Sequence, residues 1–443
     1  MIGGAPDAIN ETHDPTLHSW VGSANSGATD FPIQNLPYGV FRRHKSESPR
    51  LGVAIGDFIL DLNRSAEIGP LNDLPDALRS AAVATSLHPL MALGGGEASV
   101  LRRHVSRILA APKARPGLQE FLVPMHDAEL LMPVEIGDYT DFYASVFHAT
   151  HVGSLFRPQN PLLPNYKHVP IAYHGRSSSI VISGTPIDRP HGQLKGKDDA
   201  PTFGPTARLD YEVEIGLFAG AGNPLGNAVP LEGAERHLFG LCLVNDWSAR
   251  DIQAWEYQPL GPILSKNFAT TISPWVVPLE ALAPFRTAAF PRPPEDPRPL
   301  PYLSSAANEA SGGLDATVEV FLRSAEMRRA GHDAVRLSRG SVREMYWTMA
   351  QMVTHHTSNG CNLRAGDLLA TGTISGATPG TEGCLLELTR ERPIHLPSGE
   401  RRTFLADGDE VIMRAFCERA GYVRIGFGEC AGVIQPARQM TAS

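Results

Sequence analysis

The pattern of hydrophobic and polar positions changes character near residue 130. Upstream, the two apolar runs of LGVAIGDFILDL (51–62) flank Gly56-Asp57, which predicts a β-hairpin with a tight turn. Segments 76–93 and 97–111 carry helical patterning. Residues 1–30 are rich in Gly, Ser, Asn and Asp and lack periodicity, so they read as a mobile N-terminal extension. A small β-rich unit over 31–130 follows from this. Downstream, short β-type runs (SIVISG, YEVEIGLF, LFGLCLV) succeed one another between glycines and prolines. The clearest helix there covers 342–357, opened by a capping-box pattern at Ser341 and Glu344. The proline-dense stretch 284–301 must be irregular or extended. DGDEVIMRAF and GYVRIGFGEC read as two further strands. The expected fold class is therefore mainly β with some α, with a larger unit over 131–443 built on a closed or rolled mixed sheet.

Composition narrows the function. A chain of 443 residues exceeds what one hydrophobic core usually serves, in keeping with two domains. A formal net charge of −8 excludes a typical nucleic-acid partner, which needs clustered Lys and Arg. It leaves room for an anionic small molecule held by a few buried cations. Five cysteines at long spacings, with no C-x-x-C, fit free thiols in a reducing compartment and give no thiolate zinc site. The N-terminal sequence has no apolar signal-peptide core, and no run approaches the roughly 18 apolar residues of a membrane span. A cytoplasmic location with no membrane partner is expected.

Three segments carry candidate chemistry. In Asp210-Tyr211-Glu212-Val213-Glu214, period two puts Tyr211 and Val213 on one face and the acids on the other. That reads either as a solvated acidic face or as carboxylates aimed at one hard cation. In NDWSARD (245–251), Asp246 follows the apolar strand LFGLCLV, and Ser248 with Asp251 suggests a helix start. Arg250, Gln253 and Tyr257 then share one helical face, an odd set for a core, though an ordinary polar surface helix has the same pattern. Around Asp141-Phe142-Tyr143, the pair His148-x-x-His151 hints weakly at zinc but lacks a third ligand. The adjacent His355 and His356 are weaker still. Arg157, Tyr173, Lys266, Thr270, Thr373 and Glu387 are uninformative one by one.

Several long segments resemble the fumarylacetoacetase family: IGDYTDFY (136–143), PIAYHGRSSSIVISGTPI (170–187), LDYEVEIGLF (209–218), NDWSARDIQAWEYQPLGP (245–262), MYWTMAQMVTHHTSNGCNLRAGDLLATGTISG (345–376) and GYVRIGFGECAG (421–432). FPIQNLPYGVF (31–41) is similar to the start of that family's N-terminal domain. The resemblance implies a small SH3-like N-terminal barrel, a larger C-terminal catalytic β-roll domain, and a homodimer. It implies Ca²⁺ and/or Mg²⁺ held by Asp141, Glu212, Glu214 and Asp246, and a second cation near Asp246, Lys266 and Thr270. His148 would be the base, oriented by Glu387, with Arg250, Gln253 and Lys266 as further catalytic groups. Tyr143, Arg157, Tyr173, Gln253, Tyr257 and Thr373 would bind substrate. Ala269 stands where the family pattern has glycine, beside the second cation.

The implied activity is hydrolysis of the carbon–carbon bond of a 1,3-diketo acid, 4-fumarylacetoacetate, to fumarate and acetoacetate, the last step of tyrosine and phenylalanine catabolism. The alternatives are an acylpyruvate hydrolase or a 2-keto acid decarboxylase of the same superfamily. A catalytically dead scaffold would have lost the base or an acidic ligand, and neither is lost. A zinc hydrolase is disfavoured by the missing third histidine.

Overall fold

The computed structural model describes residues 8–110, 117–196, 200–390 and 392–439. The hairpin forms as patterned. Strands Arg50–Ile55 and Phe58–Asp61 pair with Ile55 opposite Phe58, and Gly56 turns the chain at φ 55°. With Tyr38–Arg42, Leu122–Pro124 and Glu129–Leu131 they make a five-stranded sheet whose two edges are Leu122–Pro124 and Glu129–Leu131. These edges do not pair, so the sheet is curled and partly open. That corrects the expected closed SH3-like barrel.

The helical pattern over 76–93 resolves into two pieces, Asp76–Ala82 and His88–Leu93, followed by Gly95–Leu109. Leu101, Val105 and Leu109 on the last helix are buried at i, i+4 and i+8, the spacing that lays one stripe onto a core.

The larger unit holds an eight-stranded mixed sheet. Its order runs Ala172–Gly175, Tyr139–Phe142, Leu368–Ala370, Val213–Ala219, Leu238–Asp246, Thr270–Ile272, Ile180–Ile182, with Val277–Pro278 also on Leu238–Asp246. Alternation along its central strands decides what each face meets. Val213, Ile215 and Leu217 join Leu241 and Leu243 in a core shared with Val318, Val320, Met413 and Ala415 of a second sheet. Phe218, Cys242 and Val244 point the other way, into a core shared with Leu101, Val105 and the N-terminal sheet. The second sheet orders Val335–Ser341, Thr317–Arg323, Glu410–Cys417, Ile425–Gln435 and Ile187–Asp188. It too is curled and partly open rather than a closed roll. The two C-terminal strands fall where the sequence put them. Both faces of the central strands Val213–Ala219 and Leu238–Asp246 are thus dry, so polar side chains at their ends sit in a low-dielectric interior.

Two local expectations are corrected. The helix expected over 342–357 is Met349–Thr357, and its capping box is Thr348 with Gln351; Ser341 caps only a single 3₁₀ turn, Val342–Glu344. Ser248 lies in a short strand opposite Asp210, and helix Arg250–Glu256 starts without a side-chain cap.

Residues 1–7 of the expected mobile extension lie outside the described residues. Residues 8–30 are anchored at buried points, Thr12, His13, Ser19, Val21 and Ala24, between exposed stretches. Thr12 and His13 are buried; Arg102 donates to Thr12 and to Gln34 O; His13 Nε2 lies 2.8 Å from Glu280 O. The buried Arg102 guanidinium needs this collar of oxygens, which is why a segment without hydrophobic periodicity is nonetheless ordered. Asn35 Nδ2 donates to Gly426 O at 2.7 Å, and Gly426 N donates to Asp30 O at 2.8 Å.

Candidate active site

A cavity of about 590 Å³ opens at the ends of the central strands. Asp141, near the end of Tyr139–Phe142, Glu214, near the start of Val213–Ala219, and Asp246, the last residue of Leu238–Asp246, come from three strands of one sheet. Each offers an oxygen within 4.8 Å of the others, and all three are buried. Asp141 Oδ1, both Glu214 oxygens and Asp246 Oδ1 have no hydrogen-bond partner. Burial, then the Asp246 charge, pushes Asp141 well above the ordinary carboxylate range. Burial, Asp141 and Asp246 do the same to Glu214. Three crowded carboxylates with orphaned oxygens and no nitrogen or sulfur donor among them suit a hard divalent cation.

Glu212, the fourth expected ligand, is turned differently. Its Oε1 accepts from Arg250 Nη1 at 2.7 Å, and its Oε2 from Lys266 Nζ at 2.5 Å. Burial opposes its ionisation, but Lys266, Arg250 and His148 outweigh burial and bring it down to about 2. Lys266 Nζ also lies 2.5 Å from Asp246 Oδ2, so one ammonium bridges two acids. Burial alone would lower the Lys266 pKa; Asp246 and Glu212 reverse that and raise it. Thr270 is buried opposite Asp246 in the strand register. Ala269 is buried beside it, and the only described non-glycine residues in the left-handed region are Leu36 and Arg390, so alanine stands at 269 without backbone strain.

His148 sits in the first turn of helix Val146–Phe156, whose N-cap Ser145 accepts from His148 N. Its Nδ1 meets Glu387 Oε2 at 2.5 Å, and its Nε2 is 3.6 Å from Glu212 Oε1. Burial opposes ionisation of Glu387, but the neighbouring His148 and hydrogen bonds from His148, His151 and Ser375 hold it far below the usual range. The Tyr143 ring stands edge-on to His148, with centroids 5.3 Å apart. Arg250 also bonds Asp210 at 2.8 Å and Gln253 Oε1 at 3.2 Å, which leaves the Gln253 amide NH₂ as donor. Arg250 Nη2, Arg157 Nε and Thr373 Oγ1 are buried donors without partners. Thr373 reaches the cavity through Gly372 (φ 78°), where a Cβ would come within 2.2 Å of Phe142 O. Tyr173 lines the cavity and gives its hydroxyl to Asp246; Tyr257 lines it as well.

Sequence reasoning missed several lining groups. Tyr166 donates to Tyr143 O at 2.7 Å and so fixes that loop. Val152, Leu162, Leu163 and Leu260 form an apolar outer wall, and His174 lies at the edge. No pattern in the sequence set these apart. His148 and His151 do share a helix face, but both Nδ1 atoms point at Glu387 rather than at a common cation. His355 and His356 are both half-buried. No described helix is long and apolar enough to cross a membrane.

Residues 139–435 match the family described as fumarylacetoacetate (FAA) hydrolase C-terminal, and residues 34–133 match fumarylacetoacetase N-terminal. The chain is 47% identical to the fumarylacetoacetase of Bos taurus over 421 residues, covering 92% of this chain and 97% of that one. It is 47% identical to that of Homo sapiens, with the same coverage, and 46% identical to that of Arabidopsis thaliana, covering 92% and 96%. Among solved structures, a fumarylacetoacetate hydrolase from Exiguobacterium antarcticum aligns with TM-score 0.50 at 18% identity, covering 91% of this chain and 100% of that one, a likeness of fold alone. With two family models spanning its length and relatives near half identity over nine-tenths of it, the chain belongs to the fumarylacetoacetase family.

Proposed function

We propose that this cavity hydrolyses the carbon–carbon bond of 4-fumarylacetoacetate, releasing fumarate and acetoacetate, the last step of tyrosine and phenylalanine catabolism. Family membership supports the reaction. One observation supports its location: within this site, the partnerless buried polar atoms divide into acceptors and donors. Acceptors (Asp141 Oδ1, Glu214 Oε1 and Oε2, Asp246 Oδ1) gather at the strand ends, and donors (Arg157 Nε, Arg250 Nη2, Thr373 Oγ1) belong to residues lining the same cavity. Unpaired buried groups are costly, and a chelated cation with a polyanionic substrate would satisfy both sets together.

Asp141, Glu214 and Asp246, with Glu212, would hold Ca²⁺ or Mg²⁺, and a second cation would lie near Asp246, Lys266 and Thr270. A divalent ion bound there supplies Lewis acidity for the enolate charge that develops as the bond breaks. His148 Nε2 takes a proton from water while Glu387 steadies the imidazolium through Nδ1. The water oxygen attacks the carbonyl carbon next to the scissile bond. Arg250, Gln253 and Lys266 donate to the oxyanion. The proton on His148 then passes to the carbon of the departing acetoacetate. Arg157 and the hydroxyls of Tyr143, Tyr257 and Thr373 hold the substrate's terminal carboxylate and diketo oxygens, and the ring of Tyr173, whose proton is given to Asp246, lines the cavity beside them. A cytoplasmic homodimer of two-domain subunits, divided near residue 130, completes the reading.

The test is turnover of fumarylacetoacetate by the purified protein, followed by substrate absorbance and product identification, with and without EDTA. Fumarate and acetoacetate formed only with divalent metal are expected, and His148→Ala is expected to cut turnover to a small residual rate while metal still binds. Cleavage of simple acylpyruvates but not of this substrate would move the function to a sister hydrolase.

A further inference from the structure

Glu387 accepts more hydrogen bonds than orienting one imidazole requires. It lies on the short helix Leu385–Thr389 and is 1% exposed. Its Oε2 takes His148 Nδ1 at 2.5 Å, Ser375 Oγ at 2.8 Å and Cys384 Sγ at 3.2 Å. Its Oε1 takes a single bond, from His151 Nδ1 at 2.9 Å. The Ser375 hydroxyl is itself polarised toward Glu387, because its oxygen already accepts Gly383 N–H at 2.9 Å. The Ser375 carbonyl accepts Ser145 Oγ at 2.8 Å, and Ser145 is the N-cap of the helix that bears both histidines. The carboxylate, its serine and the start of the histidine helix therefore form one closed hydrogen-bonded frame.

The two oxygens are not equivalent within that frame. A carboxylate torsion is broad and roughly two-fold, so donors on one oxygen alone leave the group free to rock. His151 on Oε1 pins the far end of the carboxylate plane and turns Oε2 toward His148. The i, i+3 spacing makes this available: both rings leave the same face of one helix, at successive turns. His151 is only partly buried, at 27% side-chain exposure, and it does not line the cavity. It can act on the reaction only through Glu387.

We propose that His151 is a positioning residue for the base: a second imidazole that clamps the free oxygen of Glu387 and thereby fixes the direction of the His148 ring. The inference rests on the reading of His148 and Glu387 given above.

The test uses full-length, divalent-loaded protein. His151→Leu removes the donor and is expected to lower kcat about tenfold, with KM and divalent affinity unchanged, the scale at which partners of an orienting group act. His151→Asn, whose amide nitrogen sits near the Nδ1 position, is expected to recover most of that loss. In a His148→Ala background, His151→Leu is expected to change the residual rate by less than about twofold, since there is no ring left to aim. The inference is overturned if His151→Leu keeps the wild-type kcat, if KM rises and metal affinity falls along with the loss of kcat, or if the effect persists undiminished without His148. Should His151→Leu fail to fold, His151→Asn and Ser375→Ala carry the same comparison, Ser375→Ala being expected to lower kcat while KM holds. Absence of wild-type turnover on fumarylacetoacetate would instead count against the function itself and leave the clamp to be read on the sister substrate that is cleaved.

Discussion

Arg250→Leu separates the structural from the chemical work of one buried cation. Arg250 is 4% exposed and holds Asp210 and Glu212 at 2.8 and 2.7 Å. Removing one partner of a buried ion pair costs about 3–5 kcal/mol, chiefly because the other charge is stranded. Neither acid is fully stranded here. Asp210 keeps backbone N–H bonds from Tyr211, Leu385 and Leu386 at 2.8, 2.8 and 3.0 Å, and Glu212 keeps Lys266. The stability loss should therefore fall at the low end, about 3 kcal/mol. Turnover should suffer more. Nη2 is a buried donor with no partner of its own, and loss of one oxyanion donor costs about 10²–10³ in kcat. Arg250→Lys discriminates the two: it restores a charge near the acids but not the planar fork. It should regain most of the stability and little of the rate. Equilibrium urea unfolding by tryptophan fluorescence and initial rates by substrate absorbance give both numbers. An Arg250→Leu protein as stable as wild type would refute the ionised pairing of Asp210 and Glu212. One with kcat within about threefold of wild type would refute the donor role.

Glu214→Gln should weaken divalent binding about 10- to 100-fold by calorimetry, and the metal-free variant should be more stable than metal-free wild type, because one of three repelling buried carboxylates becomes neutral. Burial and the Arg102 guanidinium hold the His13 pKa below its ordinary 6.5. The unfolded chain therefore gains a proton that the native state refuses, and the stability His13 contributes, complete above that value, is lost as pH falls below it. Limited proteolysis within residues 8–30 should speed up from pH 7.5 to 5.5, and His13→Gln should flatten that dependence. Thr348→Ala should cost about 1 kcal/mol in urea unfolding, while Ser341→Ala costs less, since only Thr348 caps a full helix.

Strand positions and the acids at their ends were legible from period-two alternation in 211–218 and from the unbroken apolar run of 238–244, which marks a buried strand. The same alternation put Glu212 and Glu214 together. It could not say that Glu212 would pair with Arg250 and Lys266 while Glu214 was left bare, since those cations arrive from 38 and 54 residues away. Glu387 in LLELT carried no local signal, because its meaning comes from His148, 239 residues earlier. Whether the N-terminal sheet closes depends on edge strands of three residues that no periodicity detects. The ordering of 8–30 was hidden for a related reason: the segment is held by polar bonds to Arg102 and Glu280, and hydrophobic patterning does not register such bonds.

The stitch between Asn35 and Gly426 joins residues 391 positions apart, and Arg424 reaches Asp30 across 394. A nascent chain makes Asp30 early and must wait for almost all of the remainder before that oxygen finds its donor. The N-terminal unit also shares its core with Phe218, Val244 and Leu368, which emerge after it. It therefore cannot finish folding as an independent module at the ribosome, and its apolar helices stay in need of cover until the last strands are released. Premature termination anywhere before residue 426 would leave both ends of the molecule open, a vulnerability that comes from the order of synthesis rather than from any single weak contact.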